Sequence, residues 1–85
     1  APHRVMLWRA DWALLTGDTA RERLSGDSAR RVLAREVAAL PENGAVRYEY
    51  AQALNHAGRG AEAMREVREM IRLALREGID KRSMR

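Results

Sequence analysis

Cysteine is absent, so a disulfide framework, a thiolate metal site and a cysteine nucleophile are all excluded. Phenylalanine is absent as well, and no Ile/Val/Thr-rich alternating run occurs, which removes the usual signature of a strand. Charges recur every few positions from Arg4 to Arg85, so no stretch approaches the roughly 18 uninterrupted apolar residues of a bilayer span. Membrane insertion of this segment is not expected. Lysine is nearly missing: of 16 cations only Lys81 is not arginine, and with fifteen alanines this bias reads as the codon usage of a GC-rich bacterial genome. An initiator Met and a basic-then-apolar leader are also lacking at Ala1, so the sequence reads as a processed product or an excised piece of a longer protein, and its compartment, bacterial cytoplasm or periplasm, stays undetermined.

What is present is 85 residues, 46% hydrophobic and 33% charged, enough apolar material for one core and too little for two. Sixteen Lys and Arg against twelve Asp and Glu leave a net charge of +4, which alone would put nucleic acid among the partners. The residues favour helices throughout, and an all-α fold follows. Gly, Ser, Thr, Asp and Asn punctuate the chain at Thr16-Gly17-Asp18, Ser25-Gly26-Asp27, Pro41-Glu42-Asn43-Gly44, Gly58-Arg59-Gly60 and Gly78. Four main helices are expected at about 4–16, 27–40, 44–57 and 61–77, with a short helical turn near 19–24 and a frayed tail at 79–85.

A helical wheel assigns the faces. At 61–77, Ala63, Met64, Val67, Met70, Ile71, Ala74 and Leu75 fill one broad side. Arg65, Arg68, Arg72 and Arg76 form a narrow stripe with Glu62 and Glu69 in i,i+3 or i,i+4 reach, as on a solvated, salt-bridged surface. At 44–57, Val46, Tyr50, Ala53, Leu54 and Ala57 make the core side, opposite Tyr48, Glu49, Gln52, Asn55 and His56. The helix at 4–16 is apolar nearly all round. Val5, Trp8, Trp12 and Leu15 line one stripe, Met6, Leu7, Ala10, Ala13 and Leu14 cover most of the rest, and Arg9 and Asp11 are left to meet water. Such a helix asks for cover on two sides, which three short neighbours supply only in part.

Between Pro41 and Gly78 the order Tyr48, Ala51, Leu54, Gly58, Glu62-Ala63 resembles a tetratricopeptide (TPR) repeat, the 34-residue helix-turn-helix unit of interaction scaffolds. Ala51 stands at the small-residue position of its first helix, Gly58 at the turn and Ala63 at the small position of the second helix. Small side chains let the two backbones approach, and Gly supplies a left-handed turn. Counting back from Ala63 by one repeat reaches Ala29, and Pro41 takes the repeat-ending position, so residues 8–41 read as a degenerate repeat and 42–78 as a better one. Arg47 in place of the common Trp, the exchanged order of Tyr50 and Leu54, and the lack of Pro after Leu75 depart from the pattern. The resemblance implies a right-handed stack of antiparallel helical hairpins whose groove, lined by first helices, maps onto Tyr48, Glu49, Gln52, Asn55 and His56. The charge clamp that captures peptide carboxylates in some members is missing, since Tyr48 stands where a Lys is needed.

Catalysis is not expected. His3 and His56 stand far apart in sequence with no second His at ligand spacing and read as surface histidines. Ser25 and Ser28 flank helix breaks, and the glycines at 58–60 form no phosphate-binding pattern and follow no strand. No cofactor or metal is implied. The expected function is a non-catalytic protein-protein interaction or scaffold module, with Met6, Trp8, Trp12 and Leu15 as an apolar docking surface for a partner polypeptide, a second subunit or a parent domain, and the polar groove as a second surface. Two alternatives stand beside it. One is weak nucleic-acid binding through the arginine stripe, disfavoured by the neighbouring Glu residues and the absence of stacking aromatics. The other is a soluble tail of a bacterial envelope protein, because the 48–54 run is similar to repeat tails of membrane-bound glycan polymerases and ligases.

Overall fold

The computed structural model describes residues 2–83, and within them the chain forms four helices and no strand: α1 Pro2–Leu15, α2 Thr19–Ala39, α3 Gly44–His56 and α4 Gly60–Ser83. Local chemistry sets the ends. Pro2 opens α1, a position where its missing N–H costs nothing. Gly17 takes a left-handed φ of 78°, so that its N–H reaches Leu14 O at 3.1 Å and the Asp18 N–H reaches Ala13 O at 2.8 Å. Gly58 repeats that terminating motif at the end of α3, with a φ of 79°, its own N–H on Asn55 O at 3.1 Å and the Arg59 N–H on Leu54 O at 2.8 Å. The Asp18 carboxylate accepts from the Arg21 N–H to start α2, and the Asn43 side chain accepts from the Val46 N–H to start α3.

The break expected at Ser25-Gly26-Asp27 does not occur, and the helices expected near 19–24 and at 27–40 are one continuous α2. Gly26 lowers helix propensity, but it is kept for packing: a Cβ there would stand 2.6 Å from Ala57 N and 2.7 Å from His56 C, so only a hydrogen lets α2 lie on the backbone at the end of α3. The helix at 61–77 likewise runs further, past Gly78 to Ser83.

The helices pack in chain order, α1 on α2, α2 on α3 and α3 on α4, with α1 also touching α3, in a body 50 × 21 × 17 Å in extent. The core is built from small residues. Ala29 and Leu33 of α2 and Ala53 of α3 form its centre, Met6, Leu7 and Tyr50 pack against it, and Ala10, Ala13, Ala51 and Ala63 are buried where helices approach. The two hairpins, α1–α2 and α3–α4, correspond through their turns at Gly17 and Gly58. This spacing exceeds 34 residues because α2 is 21 residues long, and Ala29, which the shorter count pairs with Ala63, lies in mid-α2 while Ala63 lies in the first turn of α4.

Helix α4 corrects the wheel. Ala63 and Leu73 are buried and Val67 and Met70 half-buried, but Met64, Ile71 and Leu75, expected in the core, are exposed. The apolar arc of α4 is wider than its one neighbour, α3, can cover. Across the α3–α4 seam Arg47 Nη1 donates to Glu66 Oε2 at 2.7 Å in a largely buried pair, and its Nε donates to Pro41 O at 2.7 Å, on the side of α4 where Ala63 and Leu73 are buried. No helix among the described residues is long and apolar enough to cross a membrane.

Candidate functional site

The outward side of α1 is the apolar one. His3, Ala10 and Ala13 are buried and Met6 and Leu7 half-buried on the inner side, which places Val5, Trp8, Trp12 and Leu15 on the opposite arc. Trp8 is 73% exposed, Trp12 66%, Leu15 81%, and Leu24 of α2 beside them 70%. Between α1 and the first half of α2 runs a groove of about 690 Å³, whose walls include Trp8, Trp12 and Leu24 and whose polar rim is made by Arg9, Asp18 and Arg21. Trp8, Trp12 and Leu15 of the expected docking set are therefore open to a partner. Met6 is not, because it packs onto the Ala29–Leu33–Ala53 core.

The expected polar groove divides. Tyr48 and Asn55 are exposed and Gln52 half-buried, whereas Glu49 and His56 are drawn into ties between helices. Both histidines, expected at the surface, are buried. His56 of α3 lies between Asp11 of α1 and Glu22 of α2, its Nε2 2.7 Å from Asp11 Oδ1 and its Nδ1 2.9 Å from Glu22 Oε2. His3 of α1 meets Glu49 of α3 through Nε2 at 2.6 Å, while its buried Nδ1 has no hydrogen-bond partner and faces Glu36 Oε1 of α2 at 3.6 Å. Each histidine thus joins α1, α2 and α3, one at each end of the three-helix unit. Sequence reasoning missed these ties because the partners are remote in sequence. The carboxylates stand on opposite sides of each ring and do not converge, and no group of three or more His, Asp or Glu among the described residues could hold a metal ion.

Comparison of the chain with protein-family models, with curated proteins and with solved structures finds no match. The residues themselves carry the functional reading.

The remaining charges mostly satisfy one another. Asp27 is held below the ordinary carboxylate value by its hydrogen bond from Arg30, with Arg31 adding to the effect. Glu42 is lowered by the hydrogen bond from Arg76, and Glu69 by that from Arg72, whose guanidinium is raised in turn by Glu69. Two of the four arginines of the α4 stripe are therefore engaged with carboxylates, as a salt-bridged face requires.

Proposed function

We propose that this chain is a non-catalytic, tetratricopeptide-like interaction module that docks a helix of a partner polypeptide against the outer side of α1. The observation that carries the reading is the exposure of Trp8 and Trp12 together with Leu15 and Leu24 beside an open groove. Two tryptophans and their aliphatic neighbours leave on the order of several hundred Å² of contiguous apolar surface, the size at which a patch marks an interaction site on a soluble domain. Aromatic anchors of this kind carry most of the energy of interfaces. What supports the repeat-like part of the reading is the pair of hairpins with like turns at Gly17 and Gly58 and the burial of Ala51 and Ala63 where the helices meet. A right-handed stack belongs to the same proposal. Tyr48, Gln52 and Asn55 form a secondary polar surface.

A phage-displayed panel of helical peptides, selected against the folded chain, tests this. Binders are expected whose affinity drops at least about tenfold with Trp8→Ser, Trp12→Ser or Leu24→Ser, since truncating one aromatic anchor commonly costs 2 kcal/mol or more. Helical content by circular dichroism should stay as in the parent, these side chains being exposed. Selection of no binder, or of binders indifferent to all three changes, rejects the reading.

A further inference from the structure

We propose that the occupant of the α1–α2 groove is an amphipathic helix with an acidic polar flank, carried by a different polypeptide. The proposal rests on the docking role above and adds the chemistry of the partner. A helical occupant follows from the spacing on α1. Val5, Trp8, Trp12 and Leu15 recur at intervals of three, four and three, the seam against which another helix packs. Within the stack, α2 and α3 each lie between two other helices, while α1 has its cover on the inner side alone.

The acidic flank follows from the rim. Arg9 is exposed with no ion-pair partner among the described residues, and the Arg21 side chain is 82% exposed. The acid of the groove, Asp18, already accepts from the Arg21 N–H at 3.1 Å and stands 3.3 Å from Arg21 Nε, so its charge is spent on the start of α2. An arriving carboxylate therefore meets the unpaired Arg9 guanidinium and the exposed Arg21 guanidinium, with the single carboxylate of Asp18 to offset the two, and an arriving ammonium meets a rim of net positive charge.

The same charges argue against a second copy. An antiparallel two-fold pairing through the Trp8–Trp12 stripe sets Arg9 beside Asp11 of the other copy, a carboxylate already engaged with His56 Nε2 at 2.7 Å, so a second copy brings Arg9 no uncommitted acid. The other unpartnered apolar face, Met64, Ile71 and Leu75 on α4, is interleaved with exposed Arg65 and Arg68, so stacking copies end to end brings cations onto cations.

The chain has two tryptophans, and both line this groove, so their emission reports its occupancy directly. The probes are two synthetic helical peptides of about 20 residues, long enough to be helical in water, free of Trp, with Leu at the seam positions and either Glu or Lys at the flanking ones. The Glu-flanked peptide is expected to shift the emission to the blue and saturate, with affinity falling as salt is raised, and the Lys-flanked one to bind at least about tenfold more weakly. In the chain carrying Arg9→Glu and Arg21→Glu the order should reverse. Equal binding of both peptides overturns the acidic class and leaves the docking role standing. Binding of neither, with a dimer mass in sedimentation and emission already blue, overturns it in favour of a second copy. If neither binds and the chain stays monomeric with solvated tryptophans, the proposal and the docking role fall together.

Discussion

A single hydrogen atom at Gly26 is what allows α2 to rest on the backbone of α3. Because a Cβ would sit 2.6 Å from Ala57 N, a backbone atom that cannot swing aside, Gly26→Ala should lower stability by about 2–3 kcal/mol, read as a fall in the urea midpoint at unchanged slope. The histidine ties predict a second asymmetry. His56→Ala leaves Glu22, largely buried, without its donor and should cost about 2–4 kcal/mol. Asp11→Asn acts on a more exposed partner and should cost about 1 kcal/mol or less in the same denaturation experiment.

Among the elements, the turns predict the sign of glycine substitutions. Gly17 and Gly58 both hold a left-handed φ, so alanine at either should destabilise by about 1 kcal/mol although space is available. Gly78 lies inside α4 with nothing near its side, and alanine there should raise the thermal midpoint, by about 0.5–1 kcal/mol in stability. The contrast also explains what could be read from sequence. Helix number and the Gly17, Asn43 and Gly58 boundaries were legible, since each depends on neighbours within a turn or two, whereas the wheel grouped Trp8 and Trp12 on one stripe but their exposure follows from how α1 packs on α2 and α3. Gly26 was misread as a break because its reason is a backbone in another helix. His3, His56 and Glu49 were misplaced because their partners lie in other helices. On α4 the apolar arc was visible, but which half is covered follows from how α4 packs on α3, across the seam that holds the Arg47–Glu66 pair.

For the whole molecule, acid should loosen the ion-pair network in a defined window. Asp27, Glu42 and Glu69 have folded-state values below their ordinary ones, so their contribution is present above those ordinary values of 3.8 for Asp27 and 4.5 for the two Glu, and is lost as pH falls through the lowered values. A thermal midpoint that holds steady down to that range, then drops, and drops less in high salt, is the expected profile. The largest consequence comes from where the histidine ties end. Both unite α1, α2 and α3, and neither reaches α4, whose neighbour is α3 alone. Opening therefore has a natural first step: α4 can peel away while the other three remain clasped. In native-state hydrogen exchange the amides of α4 should trade with solvent at a lower free energy than those of α2 and α3, so that the molecule comes apart in two stages in time.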